Sequence, residues 1–365
     1  MNKTIVIAGG GTGGHIYPGV AIARALLQQD TNIQIIFVGS HGGLEEKIIP
    51  REKFKLHLIS GGKLNFSGQW MLKLKTLIKL PMGLIESVFL LNKYKPDFVL
   101  GVGGYASGPF VMMATLLGYR TAVWEANAHP GLANRLLSKL VKTSYVVFDE
   151  SRKSLSSKNI LNFGMPVRSE IENSSASLSQ TEKRDGKFHI LSFGGSQGSR
   201  AISKVLSDAI LARGPWTSGV FVIHQIGSTD WSIMQKKYEG AGDLVEPVEF
   251  IYDMPNKYAW SDLVIARGGA STIMELAAFG VVPIIIPLPA ADNHQQHNAE
   301  SLVKNNAGRM ILQSDLTVEN LIKSISELRD QPQKMLEMKN NIKKLFKPKA
   351  SEKIALDILS QIGNS

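Results

Sequence analysis

The chain has 365 residues, 44% hydrophobic and 20% charged, the make-up of a globular protein with room for two cores and not of a disordered or membrane-spanning chain. It contains no cysteine, which excludes disulfides and thiolate metal sites. Lysine and arginine (41) outnumber aspartate and glutamate (31), and the formal charge of +10 suggests a polyanionic partner, nucleic acid or an anionic membrane surface.

The first strand is expected at Ile5-Val6-Ile7-Ala8, with no long apolar stretch behind a basic start, so no signal peptide is expected and a reducing cytoplasm fits. Gly9 to His15 form a glycine-rich loop, and a helix is expected from Pro18 through Leu27. Gly9, Gly11 and Gly14 satisfy G-x-G-x-x-G, but a dinucleotide-dependent dehydrogenase needs an acid near the end of the second strand. That strand, Ile35-Ile36-Phe37-Val38, ends in Gly39-Ser40-His41 with neither an acid nor a substitute arginine. A P-loop is absent too, since no Gly-Lys-Ser/Thr follows.

From Lys63 to Lys95 six lysines meet a single acid, Glu86, and Trp70, Leu74, Ile78 and Met82 are interleaved with Lys73, Lys75 and Lys79. Lysines and Pro81 interrupt the apolar run too often for a spanning helix, and an interfacial amphipathic element is expected over Trp70 to Met82. Val88 and Phe89, nearer the next strand, are expected in the core. No Lys/Arg block with interleaved aromatics suits a single-strand nucleic-acid groove, so no nucleic-acid partner is expected.

A strand at Phe98-Val99-Leu100 leads into another glycine-rich loop, Gly101 to Pro109. Glu170 to Lys187, rich in Ser, Glu and Lys, reads as a loop or linker. The opening pattern then returns as Ile190-Leu191-Ser192-Phe193, Gly194 to Ser199, and a helix from Arg200. Alternating strands and helices define an α/β protein of two Rossmann-like, doubly wound parallel-sheet domains facing across a cleft, with ligands beyond the strand C-termini.

The most informative segment follows the strand Leu263-Val264-Ile265-Ala266. Small residues in Arg267-Gly268-Gly269-Ala270-Ser271-Thr272-Ile273-Met274-Glu275 open a helix whose free N–H groups suit a diphosphate. Glu275, about one turn in, can accept hydrogen bonds from a ribose diol. Gln295 and Gln296, after a strand from Val281 to Pro287, offer amides to sugar hydroxyls. Diphosphate, ribose and sugar together indicate a nucleotide-sugar. No Asp-x-Asp pair occurs to hold a divalent metal, and His294 and His297 beside Asp292 read as hydrogen-bonding groups on a loop, so neither a metal nor a cofactor is expected. Helix-terminal N–H groups and a cation such as Arg168 then stabilise the leaving group. His15, at a helix start, is either the general base or a capping and positioning residue. Glu125 is a second candidate base, or orients Asn127 or a neighbouring loop.

With these residues in place, the chain closely resembles the MurG family, transferases that add N-acetylglucosamine to lipid I in bacterial peptidoglycan synthesis. The resemblance spans nearly the whole chain and rests on Gly9 to His15, Gly103 to Pro109, Glu125-Ala126-Asn127 with Asn134, Pro166-Val167-Arg168, Gly194 to Gly198, Phe250 to Met254, Arg267 to Glu275 and Asp292 to Ala299. The chain departs from the family pattern at Trp124 and Ala126, where His and Gln are usual, and at Met165, where Asn is usual. The resemblance implies a GT-B fold, with an acceptor and membrane-associating domain over residues 1–164 and a donor domain over 165–344. A last helix within 345–365, Ser351 to Ile362, is expected to cross back to the first domain. It implies UDP-N-acetylglucosamine contacts at Thr12, Gly13, Gly14, Asn127, Arg168, Ser196, Ile251, residues 270–275 and Gln295, with Ile251 reading uracil through its backbone. Acceptor contacts are expected at Gly103, Gly104, Tyr105, Ser107 and Asn134. The implied reaction is inverting transfer to the 4-hydroxyl of the muramyl sugar of lipid I, giving lipid II, by a peripheral enzyme on the cytoplasmic face of the inner membrane. The alternatives are another GT-B transferase or epimerase with a soluble or glycolipid substrate, or a non-catalytic nucleotide-sugar-binding protein.

Overall fold

Short apolar strands alternating with helices build one parallel sheet in each half of the chain. The computed structural model describes residues 3–61, 70–178, 185–195, 197–290 and 292–363, with residues 70–80 described by their backbone alone. The first half runs β1 (Thr4–Gly9), α1 (Gly13–Gln29), β2 (Gln34–Ser40), α2 (Glu45–Arg51), β3 (Lys55–Ile59), α3 (Trp70–Tyr94), β4 (Phe98–Gly103), α4 (Ser107–Leu116), β5 (Thr121–Glu125), α5 (Leu132–Leu137), β6 (Thr143–Val146) and β7 (Asn159–Asn162). The second runs α6 (Ser169–Ser177), β8 (Phe188–Phe193), α7 (Arg200–Ala212), β9 (Val220–Gln225), α8 (Trp231–Tyr238), β10 (Val245–Val248), α9 (Met254–Trp260), β11 (Leu263–Ala266) and α10 (Ala270–Phe279). It continues with β12 (Val282–Ile285), α11 (His294–Lys304), β13 (Arg309–Met310), α12 (Val318–Arg329) and α13 (Pro332–Leu345), and the chain ends in α14 (Ala350–Gly363).

Two units result, one of Met1–Arg168 with Lys347–Ser365 and one of Ser169–Phe346. In the first, the strand order is β3-β2-β1-β4-β5-β6-β7, and in the second β10-β9-β8-β11-β12-β13. The pairings are parallel, with Ile5 opposite Ile35 and Phe98 in one sheet and Leu263 opposite Ile190 and Val282 in the other. Helices cover both faces of such sheets, so their central strands are mostly apolar, and all of β1, β4 and β5 is buried. The order reverses between β1 and β4 and again between β8 and β11. Those are the switch points at which parallel sheets open a crevice for ligand, and the four glycine-rich loops leave these four strands.

The closing helix α14 packs on α1, burying Ile354, Ala355 and Ile358, and the Tyr145 hydroxyl on β6 donates to Asp357 Oδ2 at 2.6 Å. Burial and the Asp357 carboxylate push the Tyr145 pKa well up. Some local expectations need correction. The first helix begins at Gly13, before Pro18, and accepts the proline at the loss of one helical hydrogen bond. The polar stretch after Arg168 is not all linker. Residues Ser169–Ser177 form α6, anchored by one buried side chain, Ile171. Residues 179–184 of that stretch lie outside the described residues. Phe89 is not core but 66% exposed, while Val88 is half-buried.

Candidate functional site

Helix α10 starts directly at the end of β11. Its N-cap is Gly269, no side chain caps it, and its first turn carries no acid. The Ile273 N–H bonds back to the Gly269 carbonyl at 3.0 Å, so Ala270, Ser271 and Thr272 present their N–H groups ahead of the first helical bond. Helix α7, at the other switch-point strand, differs in that Ser199 Oγ accepts from Ile202 N at 3.4 Å. The uncapped terminus is the better anion acceptor of the two.

Around this terminus lies a cavity of about 710 Å³, within the range of small-molecule sites. The β8 loop lines it with Gly194, Gly195, Gly198 and Ser199, and the β11 segment with Arg267, Gly269 and Thr272. Gln295 also lines it, and its Oε1 accepts from Gly268 N at 3.0 Å and Leu288 N at 2.9 Å. Both partners are donors, which fixes the amide orientation and leaves Nε2 to offer a ligand. Gly268 has no room for a side chain, since a Cβ there would lie 2.5 Å from the Gln295 carbonyl oxygen. Arg267 turns its guanidinium inward to the Ile286 and Pro287 carbonyls and to Gln313 Oε1, and burial lowers its pKa.

Glu275 is half-buried one turn into α10, and the buried Tyr258 hydroxyl on α9 donates to its Oε2 at 2.9 Å. The Tyr258 ring is held between Phe193 and Phe279. Helix α9 is capped by Asp253, at the end of the Phe250–Met254 motif, and Ile251 is buried. The same helix therefore connects the segment expected to read uracil with the carboxylate expected to hold ribose.

The remaining donor candidates divide. Ala270, Ile273 and Met274 are buried, so only backbone groups of this turn, with the half-buried Ser271 and Thr272, can meet a ligand. Gln296 does not line the cavity, and its amide donates to Glu300 Oε1 at 2.9 Å within α11. Ser196 lies outside the described residues. Sequence reasoning missed Arg200, Lys204 and Gln313, which also line the cavity. Arg200 is paired with Asp230 at 3.1 Å and Lys204 with Asp208 at 3.7 Å. The spacing of Arg200 and Lys204, one turn apart at the start of a helix after a glycine-rich loop, was the available signal.

His294 and His297 sit on helix α11, not on a loop, and each pairs with its own acid, Asp292 at 2.6 Å and Glu300 at 2.9 Å. Among the described residues no three His, Asp or Glu side chains converge as metal ligands would.

In the first unit, Thr12 precedes α1 without capping it, and Gly13 and Gly14 form its first turn. His15 follows, its imidazole packed on Gly103, where a Cβ would lie 2.6 Å from Nδ1 and where φ is +94°. Gly104 is equally confined, because a Cβ there would overlap the Gly10 carbonyl. Tyr105 is exposed. Glu125 is 3% exposed and its carboxylate accepts from Asn127 N, Asn127 Nδ2, Gly131 N and Asn134 Nδ2, at 2.8 to 3.1 Å. So enclosed, it orients Asn127, Asn134 and the turn at Gly131. Of the residues expected at the acceptor, Ser107 and Asn134 are buried, and Asn134 donates to Glu125. Trp124, one of the departures, is also core. Arg168 is exposed at the end of the unit.

A correction concerns β2. An acid does serve its end: Glu45, five residues beyond Ser40, folds back so that its carboxylate accepts from Gly11 N at 2.7 Å. The acid faces the loop's own N–H group, which is where a dinucleotide phosphate would need to bind.

Two doubly wound units, the second with an uncapped helix terminus and an amide at one cavity and a carboxylate one turn further along that helix, define a nucleotide-sugar protein of the glycosyltransferase class. Residues 5–146 match the glycosyltransferase family 28 N-terminal domain, and residues 189–354 its C-terminal domain. The UDP-N-acetylglucosamine--N-acetylmuramyl-(pentapeptide) pyrophosphoryl-undecaprenol N-acetylglucosamine transferase of Bdellovibrio bacteriovorus is 55% identical over 98% of this chain and 99% of its own. The protein of the same name from Myxococcus xanthus is 38% identical over 96% and 91%. The crystal structure of Acinetobacter baumannii MurG superposes with a TM-score of 0.81 at 26% identity, covering 98% of this chain and 99% of that one. The chain belongs to the MurG family of glycosyltransferases.

Proposed function

We propose that the chain transfers N-acetylglucosamine from UDP-N-acetylglucosamine to lipid I, giving lipid II. The observation that carries this reading is the α10 terminus, where uncapped N–H groups and the Gln295 amide meet one cavity, with Glu275 one turn along the same helix, in a chain 55% identical to a transferase of that name. Residues 270–272 hold the diphosphate through their N–H groups, Glu275 the ribose hydroxyls, the backbone at Ile251 the uracil, and Gln295 the sugar. Arg168 and the α1 terminus at Thr12, Gly13 and Gly14 add donor contacts, with Asn127 held in place by Glu125. The 4-hydroxyl oxygen of the muramyl sugar attacks the anomeric carbon, a C–O bond forms as the bond to the diphosphate oxygen breaks, and UDP leaves with the electron pair. His15 takes the hydroxyl proton. One in-line displacement inverts the anomeric centre to a β1→4 link. Gly103, Gly104 and Tyr105 border the acceptor.

The lipid acceptor requires a membrane surface, and the enzyme is peripheral on the cytoplasmic face of the inner membrane. No described helix is long and apolar enough to cross a bilayer. Ile85 and Phe89 on α3 are 71% and 66% exposed, and Leu116, Leu132, Leu136 and Leu140 are exposed on and beside α4 and α5, which pack in series with α3. Exposed Lys139 and Lys142 flank the last of these. Apolar side chains rimmed by lysine support binding to an anionic surface. The side chains of Trp70, Lys73, Leu74, Lys75, Ile78 and Lys79 lie outside the described residues, and Met82 is exposed. Incubation with labelled UDP-N-acetylglucosamine and lipid I tests the reading. Label in lipid II supports it, and label confined to free sugar or a soluble product overturns it.

A further inference from the structure

The carboxylate of Glu45 closes the first glycine-rich loop from below. Glu45 opens α2 and is 1% exposed. Its Oε1 accepts from Ser40 N at 2.9 Å and Ser40 Oγ at 3.1 Å, while Oε2 accepts from Gly11 N at 2.7 Å. Three glycines form the cradle, since a Cβ at Gly10, Gly39 or Gly43 would overlap the side chain. One buried carboxylate thus ties the end of β2 to the loop after β1, and three hydrogen bonds to an ionised acceptor make a stiff joint.

The loop held in this way connects onward. The Gly10 N–H donates to the Gly103 carbonyl at 3.1 Å, a Cβ on Gly9 would overlap that same carbonyl, and Gly103 is the surface on which the His15 imidazole lies. Glu45, Gly11 and Gly10, Gly103, and His15 form one packed sequence. Displacement of Gly11 would move the α1 start and with it His15. The carboxylate also takes the Gly11 N–H that an anionic ligand would otherwise meet.

We infer that Glu45 is a positioning residue for the transfer reaction, acting through Gly10, Gly11 and Gly103 to fix His15. The inference rests on the reading of His15 as the base. Glu45→Gln keeps the volume but replaces one acceptor oxygen by an NH2 group that faces an N–H or O–H donor. Whichever way the amide turns, the joint loses the bond from Gly11 N or the bond from Ser40 N.

The test is a double-mutant cycle of Glu45→Gln and His15→Ala in the full-length protein, with kcat and both KM values measured. In the parent background, Glu45→Gln is expected to lower kcat by at least 10-fold, with UDP-N-acetylglucosamine KM within about 2-fold. In the His15→Ala background the same change should cost less than about 2-fold. Equal losses in both backgrounds, or full activity of Glu45→Gln, overturn the inference. Amide hydrogen exchange at residues 10–12 supplies a readout independent of chemistry, expected to quicken at least 10-fold in Glu45→Gln while β4 stays protected. Unchanged exchange there also overturns it. If His15→Ala proves nearly silent while exchange at residues 10–12 quickens, the base assignment fails and the tether stands. Should Glu45→Gln fail to fold, Ser40→Ala, which removes the hydroxyl donor alone, carries the same cycle with a smaller expected effect on turnover.

Discussion

Replacing Glu275 by alanine should weaken UDP binding far more than it weakens the fold. The carboxylate is half-buried on α10, with Oε2 accepting from the Tyr258 hydroxyl at 2.9 Å. A hydrogen bond to a charged acceptor contributes roughly 1.5–3 kcal/mol, so loss of the diol contact should raise the UDP Kd by about 10- to 100-fold. The Tyr258 hydroxyl is a neutral donor acting at one remove. In Tyr258→Phe the ring keeps its contacts with Phe193 and Phe279, and the carboxylate loses only its anchor. A penalty of about 0.5–1.5 kcal/mol corresponds to roughly 2- to 10-fold in Kd. Titration calorimetry with UDP measures both, and thermal unfolding checks the fold. Uracil is read elsewhere, so binding of uracil alone should be unchanged in either variant. Parent-like UDP affinity in Glu275→Ala would refute the assignment of the ribose to this carboxylate. A larger loss in Tyr258→Phe than in Glu275→Ala would show that the tyrosine touches the nucleotide itself.

His15→Ala should lower kcat by roughly 10²–10⁴ with donor affinity nearly preserved, and a few-fold fall with a raised acceptor KM would reassign His15 to positioning. Turnover should survive EDTA, because the donor cavity is lined by N–H groups and cations, and the acids beside those cations, Asp230 and Asp208, are already paired; loss of activity restored by magnesium would contradict this. Ile85→Ser with Phe89→Ser should release the protein from anionic vesicles, since each buried side chain contributes roughly 1.5–3 kcal/mol, while unchanged co-sedimentation would move the contact elsewhere. Lys73, Lys75 and Lys79 changed together to Glu should do the same and in a salt-dependent way, at about 1 kcal/mol per lysine. His224 is buried between Ser203 Oγ and the Tyr238 hydroxyl, and burial pulls its pKa down to about 3. The unfolded chain takes up a proton below about pH 6.5 and the folded one does not until about pH 3, so stability falls by about 1.4 kcal/mol per pH unit in that window. Urea midpoints at pH 7 and pH 5 should separate less in His224→Gln than in the parent, and an equal separation would contradict the assignment.

Much of the architecture was legible because its signals are local. Runs such as Ile5-Val6-Ile7-Ala8 and Leu263-Val264-Ile265-Ala266 lead into glycine, and the change of period from strand to helix marks the site-bearing turns. The α10 terminus was readable for the same reason, since small residues after a strand leave N–H groups uncovered. What escaped depends on contacts between distant segments. Glu45 lies past the strand end it serves, and only the fold brings it to Gly11. Tyr258 is remote from Glu275 in sequence, and nothing in its neighbours signals the pairing. Asn134 and Ser107 look like surface polar groups, yet one is consumed by Glu125 and the other is enclosed beneath Gly101. Helix α6 was hidden by composition, because one buried isoleucine suffices to dock it. Phe89 misled in the opposite sense, an aromatic beside a strand that faces outward.

The location of the diphosphate tests the account most directly, because two glycine-rich turns compete for it, and in the Gly9–Gly14 turn Glu45 already occupies the Gly11 N–H. A crystal structure of the protein soaked with UDP-N-acetylglucosamine decides between them. Diphosphate oxygens within hydrogen-bond distance of the Ala270, Ser271 or Thr272 N–H groups, with the ribose on Glu275, are the expected result. A diphosphate seated on the Gly9–Gly14 loop, with Glu45 displaced from Gly11, would contradict it.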